Sequence, residues 1–295
     1  MSADVALLEL LRLLKAAEYD FIAVTPATHA RVLTRPCEKP GLREIFGWNR
    51  PFHEDDLEGP ILEGLRESEM LDDAAGKLRS RIRVASLKEK LFLHSSFPTE
   101  APDSVFFGPD TYRFVRAILL HLKSAAPRWI VDMGAGCGAG AIAAAAFSPD
   151  ARISAVDTNP LALRFAAINA EANGATIETV EAGEVPEGAD LVIANPPYIM
   201  DDGRRAYRDG GGLYGGEVAL DWARQAVERM APRGTMLLYT GASVIAGKAP
   251  LAKELPRLGA EIEEIDPDVF GEELDRPAYA EVERIAVILA TIRKP

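Results

Sequence analysis

Asn195, Pro196, Pro197 and Tyr198 set a carboxamide, a proline carbonyl and an aromatic ring directly after an apolar run, Leu191 to Ala194, that reads as a strand. A planar amino group, such as a carboxamide or an exocyclic base amine, has its lone pair delocalised and is a poor nucleophile. Two acceptors facing its two N–H bonds orient it and help to localise the lone pair toward an incoming electrophile. The Asn195 side-chain carbonyl and the Pro196 backbone carbonyl can supply them, because proline brings an acceptor and no competing donor. Tyr198 can stack on the planar group, a contact worth ~1–3 kcal/mol where bases are involved. Pro-Pro-Tyr is also a ligand for small aromatic-grooved domains, and a proline pair can simply stop a strand. Its place at a strand end, downstream of a glycine-rich loop, favours the chemical reading.

That loop is Asp132-Met-Gly-Ala-Gly-Cys-Gly-Ala-Gly140, between a predicted strand at Trp129 to Asp132 and a predicted helix at 138 to 147. Glycines at 134, 136 and 138 allow tight turns and close approach of backbone to a ligand. The loop contains Gly134-x-Gly136-x-x-Ala139, a permitted variant of the dinucleotide fingerprint, with pyrophosphate at the helix N-terminus. The next strand ends in Asp157, about 20 residues on, where a carboxylate can accept hydrogen bonds from both ribose hydroxyls of an adenosine ligand. Asn159 can cap the helix that starts at Pro160.

The elements that must position these residues follow from periodicity. Strands are predicted at Trp129 to Asp132, Ile153 to Asp157, Ile177 to Val180, Leu191 to Ala194, Met236 to Tyr239, Ile262 to Ile265 and Arg284 to Ala290. Helices at 138 to 147, 160 to 173, 216 to 230 and 246 to 257 lie between them, the pattern of a Rossmann-like doubly wound, mostly parallel sheet. Ligands of such a sheet belong at the carboxyl ends of its strands. Before it, turn-forming residues at 95 to 104 mark a linker, which divides the chain into an N-terminal domain, 1–98, and a catalytic domain, 105–295. The N-terminal domain reads as mainly helical, with helices at 3 to 17, 26 to 34 and 57 to 68. After them Lys77, Arg79, Arg81 and Arg83 alternate along a predicted strand that pairs with Leu91 to Leu93. Helices followed by a basic hairpin have a loose winged-helix likeness; a solvated strand face on a small helical cap is the plainer reading.

With 295 residues, 48% hydrophobic and 26% charged, the chain is a globular protein, which excludes disordered, collagen-like and disulfide-scaffold classes. Cys37 and Cys137 belong to no Cys/His grouping, so neither a zinc site nor a redox pair is expected, and a reducing cytoplasm is the natural setting. No apolar run approaches the ~20 residues that span a bilayer. The net charge of -12 favours a protein or small-molecule partner over nucleic acid. That acidity is uneven: residues 1–100 carry 14 basic and 17 acidic residues, against 19 and 28 after them. The N-terminal part is thus near neutral, and net charge alone does not exclude RNA.

Taken together, the glycine loop, Asp157 and Asn195 to Tyr198 resemble class I S-adenosylmethionine-dependent methyltransferases of the amino-methylating Asn-Pro-Pro-Tyr group. Within it the chain is most similar to HemK/PrmC-type protein-glutamine N-methyltransferases, over residues ~105 to 291. The resemblance implies S-adenosylmethionine as cofactor and no metal. It assigns Asn195, Pro196, Pro197 and Tyr198 to catalysis, with Asn195 also beside the cofactor. Asp132, Gly134, Ala135, Gly136 and Gly138 match the methionine-side loop, and Asp157 with Thr158 the ribose position. Phe107, Asp110 and Thr111 fall where the family has a Pro-Glu-Thr segment at the cofactor pocket, with Asp for Glu. The adenine contact would fall on Glu181 or Glu184. The glycine run 209 to 216 would either close over substrate or serve tight turns.

The implied reaction is an in-line displacement onto a nitrogen held by Asn195 and Pro196, with no obligatory general base. The four histidines, 29, 53, 94 and 121, lie outside these motifs. The favoured acceptor is a glutamine of a translation-related protein. An RNA or DNA amino group, supported by the 77 to 83 face, and a non-catalytic or NAD-binding Rossmann protein are the competing readings.

Overall fold

The computed structural model describes residues 2–294. The chain opens with α1 (Ala3–Ala16), whose Leu7, Leu10, Leu11 and Leu14 are buried, followed by α2 (Pro26–Leu33) and α3 (Gly59–Glu67). Thr25 caps α2 by accepting from Thr28 N at 3.2 Å, and Pro26 supplies a pre-set first turn. Two antiparallel hairpins come next, β1 (Leu71–Asp73) with β2 (Leu78–Ser80), and β3 (Ile82–Leu87) with β4 (Lys90–Ser95).

The single basic strand expected over 77 to 84 is not formed. Pairing changes partner at Arg81, because Ser80 Oγ donates to Ile82 O at 2.7 Å and accepts from Ile82 N at 3.2 Å, turning the chain between β2 and β3. Arg81 lies 3.7 Å from Asp72, whereas Arg83 is 4% exposed and donates Nε to Ser95 O at 3.0 Å. Every residue of β3 is buried, so this hairpin is no exposed wing and carries no continuous cationic face.

The seven-stranded sheet expected after the linker is present. Its strands are β5 (Trp129–Met133), β6 (Arg152–Asp157), β7 (Glu178–Glu181), β8 (Leu191–Ala194), β9 (Thr235–Val244), β10 (Ala260–Asp266) and β11 (Arg284–Arg293), in the order β10-β11-β9-β8-β5-β6-β7. Neighbours from β9 to β7 run parallel, while β11 is antiparallel to both β9 and β10. Strand order reverses between β5 and β8, which opens a crevice at their carboxyl ends. The helices are α4 (Pro109–Leu122), α5 (Ala139–Phe147), α6 (Pro160–Ala172), a short turn α7 (Gly212–Gly215), α8 (Glu217–Arg229) and α9 (Pro250–Glu254). The helix expected over 246 to 257 is only α9 and a 3-10 turn at Leu255–Leu258, and α4 was not anticipated. Alternation on β5 shows the layering: Ile130 packs with Phe114 and Ile118 of α4, Val131 with Ala219 and Ala223 of α8.

The core of the N-terminal helices and hairpin runs without interruption into Cys137, Ile142, Ala162 and Phe165 of the sheet layer. Asn169, on α6 and fully buried, stitches the two. Its Oδ1 accepts from Leu93 N at 2.8 Å, while Nδ2 donates to Leu93 O at 3.1 Å and to Cys137 O at 2.9 Å. One carboxamide thereby satisfies the free edge of β4 and a carbonyl of the glycine loop. Asn169→Leu would leave three buried backbone groups unpaired, each costing about 1–3 kcal/mol, so urea unfolding should show a loss of about 3 kcal/mol or more.

Candidate active site

A cavity of about 500 Å³ lies at the carboxyl ends of β5, β6 and β8. Its floor is the glycine loop. Gly134 N and Ala135 N both donate to Val156 O, at 2.8 and 3.0 Å, which draws the loop across the end of β6. At Gly134 (φ +69) an added Cβ would come within 2.6 Å of the Trp222 ring, so this position needs glycine for both conformation and space. At Gly136 (φ +54) nothing lies within 4 Å of where a Cβ would stand, and the backbone faces open space. Gly138 (φ +80) packs on Ala166 and starts α5; it shapes the loop without lining the cavity.

Two carboxylates hold the loop. Asp157 Oδ2 accepts from Gly136 N at 2.9 Å and Oδ1 from Asn159 N at 2.9 Å, while Asn159 caps α6 through Leu161 N at 2.9 Å. Burial outweighs these bonds and raises the Asp157 pKa. Asp132, 1% exposed, accepts from Ala141 N of α5 at 2.7 Å, and burial pushes its carboxyl up to about 7. Thr158, Ala135, Asp132 and Asp157 all line the cavity. Burial raises the Cys137 thiol to about 12.

The Asn195-Pro-Pro-Tyr198 turn forms the adjoining wall. Asn195 Oδ1 is buried and has no hydrogen-bond partner, although almost every buried acceptor in a folded protein is paired. The Tyr198 hydroxyl donates to Asp110 Oδ2, and the Tyr239 hydroxyl donates to Asp110 Oδ1 at 2.9 Å. Arg113 spans Asp110 at 3.3 Å and Asp266 at 2.7 Å. Burial, reinforced by Asp110, raises the pKa of both tyrosines and keeps them donors. The expectation that Tyr198 offers a stacking face is corrected by its packing. The residue is 7% exposed, lies against Gly241 where a Cβ would come within 2.1 Å of the ring, and meets Phe270 edge-on at 5.9 Å. It is a packed wall and not a free platform.

Three further expectations change. Phe107 is 1% exposed and turns away from the cavity to pack on His94 and Tyr112; Phe106, its neighbour on the extended segment, lines the cavity instead. Asp110 and Thr111 do reach the cavity, at the start of α4. Neither Glu181 nor Glu184 lines it: both are exposed, with Glu184 2.6 Å from Arg229, and the wall there is Ala182 and Gly183. The glycine run serves close packing, since a Cβ at Gly215 would come within 2.3 Å of Tyr198 O and one at Gly210 within 2.7 Å of Tyr198 Cα. Trp222, Arg204, Ala206, Tyr207 and Arg208, also in the wall, are not marked by the sequence reading; the glycine facing the Trp222 ring is the trace of that contact in the sequence. Among the described residues no group of three or more His, Cys, Asp or Glu side chains is arranged to hold a metal, and no helix is long and apolar enough to cross a membrane.

Two outcomes test this geometry. Tyr198→Phe and Tyr239→Phe each remove a donor to a buried carboxylate, so each should cost about 1.5–3 kcal/mol in urea unfolding, and the double variant should be non-additive because the acceptor is shared. For Asp132 the native pKa of about 7 exceeds the unfolded value, so the native state binds more protons between about pH 4 and 7 and stability from this group falls as pH rises through that window. Asp132→Asn should flatten that fall, read as a smaller loss of urea midpoint between about pH 5 and pH 7.5 than the parent shows.

Comparison with known proteins places the same residues in a family context. Residues 110–239 match the family model described as Methyltransferase small domain. The chain is 32% identical over 180 residues to the release factor glutamine methyltransferase of Deinococcus radiodurans, covering 56% of this chain and 63% of that one. It is 41% identical over 80 residues to the Mycolicibacterium smegmatis protein of the same description, covering 24% of this chain and 28% of the relative. The chain thus spans less than two thirds of the length of these curated relatives. Among solved structures, M. jannaschii TYW2 in complex with AdoMet aligns with a TM-score of 0.49 at 16% identity, covering 73% of this chain and 87% of that one. Along roughly half its length, then, this chain is similar to release factor glutamine methyltransferases, and the match to the Methyltransferase small domain model lies over the strands and loops that build the cavity.

Proposed function

We propose that this protein is an S-adenosylmethionine-dependent N-methyltransferase acting on a planar amide nitrogen, a glutamine side chain of a protein acceptor. The observation that carries the reading is the Asn195 side-chain oxygen, a buried acceptor without a donor, on a cavity wall beside Pro196. An N–H bond of an incoming amide is the missing partner, and the Pro196 carbonyl is suited to take the second.

The residues present fit the cofactor. Gly136 exposes backbone to open space, Asp157 retains acceptor capacity beyond its two backbone bonds, and Ala182 and Gly183 leave room for an adenine. S-adenosylmethionine, when bound, supplies an electrophilic methyl group on its sulfonium. The chain's own contribution is orientation: Asn195 and Pro196 fix the acceptor nitrogen, and Asp110 fixes the loop through Tyr198. Positioning of this kind can remove ~7–11 kcal/mol from a bimolecular barrier. The nitrogen can release its proton to water after methylation, so no side-chain base is required.

A protein acceptor is favoured by the similarity to release factor glutamine methyltransferases and by the net charge of -12. The basic strand face that favoured a nucleic acid is not formed, since Arg83 is buried. In this reading residues 1–98 are the acceptor-recognition domain and residues 105–295 the catalytic one, and a translation-related acceptor would place the enzyme in the cytoplasm.

Methyl label transferred from cofactor into lysate protein should survive nuclease and vanish with protease; label removed by nuclease would overturn the acceptor class. Asn195→Ala should lower turnover by on the order of 100-fold while S-adenosylhomocysteine affinity, by isothermal titration, stays within about twofold. Retention of substantial activity would refute the role of Asn195.

A further inference from the structure

Side chains of α8 fasten it to the segment after β7. Gln225 Oε1 accepts from Val185 N at 3.0 Å, and Arg229 lies 2.6 Å from Glu184. Trp222, three positions before Gln225 and seven before Arg229, shares their helix face, which sets its indole toward Ala182 and Gly183. The far edge of that ring closes on the glycine loop, where a Cβ at Gly134 would come within 2.6 Å of it. Gly183 in turn lies against Thr158, since a Cβ there would stand 3.4 Å from the Thr158 methyl. Gly134, Thr158, Ala182, Gly183 and Trp222 all line the cavity, and together they enclose one end of it.

Trp222 differs from the other two tryptophans in what surrounds its ring. Trp48 meets the Phe21 ring edge-on at 5.0 Å, and Trp129 carries the Arg152 guanidinium 4.5 Å over its ring and donates Nε1 to Ser154 Oγ at 3.0 Å. Among the described residues Trp222 has no aromatic or cationic neighbour and its indole N–H no acceptor, although the ring is half-buried in the cavity wall. A flat ligand that covers the indole and offers it an acceptor completes such a position. No carboxylate competes for a base at this end. Glu181 and Glu184 are exposed outside the cavity, and Asp132 is taken by Ala141 N.

We infer that Trp222 is a cofactor-binding residue whose indole ring forms the wall against which the adenine of S-adenosylmethionine rests, in place of the glutamate expected after β7. This rests on the cofactor reading above, in which Asp157 takes the ribose hydroxyls. A base on that ribose falls at the end of the cavity where Thr158, Ala182 and Gly183 stand, and Trp222 is the aromatic ring there. The contact needs a π-face more than a particular ring, so phenylalanine can replace Trp222 and alanine cannot.

The test uses the full chain and two ligands followed by isothermal titration, S-adenosylhomocysteine and 5′-methylthioadenosine, which keeps adenine and ribose and lacks the amino acid. Trp222→Ala should weaken both by about tenfold or more and by the same factor, whereas Trp222→Phe should stay within about threefold of the parent, with urea midpoints verifying that both variants fold. Fluorescence gives a second readout, because Trp48 and Trp129 lie outside the cavity wall. S-adenosylhomocysteine should quench the emission of the parent and leave that of Trp222→Phe unchanged, a result that does not depend on Trp222→Ala folding. Unchanged affinity in Trp222→Ala, no quenching in the parent, or quenching that persists in Trp222→Phe would overturn the inference. A loss confined to S-adenosylhomocysteine, or a parent that binds it and not 5′-methylthioadenosine, would also overturn it and assign the ring to holding the glycine loop. Failure of the parent to bind either ligand would mark failure of the cofactor reading itself.

Discussion

The Asp110 carboxylate is the point on which the site depends. It is 3% exposed, and an ionised carboxylate so far from water is tolerable only if its oxygens are matched by donors. The donors come from three separate elements: Tyr198 from the loop after β8, Tyr239 from β9, and Arg113 one turn along α4. Arg113 extends the connection to Asp266 at the end of β10. Meeting the needs of one buried charge therefore fixes where the start of α4 lies relative to the crevice, and fixes the Asn195-Pro-Pro-Tyr198 turn with it. Asn195, whose side-chain oxygen is buried and unpaired, is held in the cavity wall because the residue three positions on is tied down.

Close backbone approach is the second constraint, and it explains why glycine is concentrated where it is. Gly134 admits the Trp222 ring, Gly241 admits Tyr198, and Gly210 and Gly215 bring the chain onto the backbone of Tyr198. Each contact would be closed by a single Cβ. The glycine run after the Asn195-Pro-Pro-Tyr198 turn is thus part of the packing that immobilises that turn, which suits the proposed reaction, whose acceleration rests on orientation more than on proton transfer.

The N-terminal part is bound into the same arrangement. Asn169 ties the edge of β4 to the glycine loop, Asn159 Nδ2 donates to Asp103 O at 2.7 Å, and Tyr207 reaches Thr99. The segment between the two halves, although rich in turn-forming residues, is anchored at several points around the cavity mouth. Val105 and Phe106, directly after that segment, and Pro26 at the start of α2 share the wall with the Asn195-Pro-Pro-Tyr198 turn. The cavity is thus lined by surfaces from both halves.

Much of this was legible in the residues themselves. Apolar periods of two and 3.6, broken by Gly, Pro and Asn, located all seven strands of the sheet and most of its helices. The types and order of Asp132 to Gly140, Asp157 and Asn195 to Tyr198 marked the crevice, because backbone conformation, helix capping and hydrogen-bonding capacity are properties of a residue and its immediate neighbours. What periodicity could not settle was which side chains face which neighbour across the chain. Lys77 to Arg83 alternate as a basic strand would, yet Ser80 bonds to Ile82, the strand turns, and Arg83 is buried. Phe106 and Phe107 are equivalent in the sequence, and only the packing of Phe107 on His94 and Tyr112 turns Phe106 to the cavity. Asp110 matched a cofactor position by its place in the chain, but the two hydroxyls it accepts from lie 88 and 129 residues away. The tertiary structure alone decided those roles, since a buried charge takes its partners from whatever the fold brings within reach.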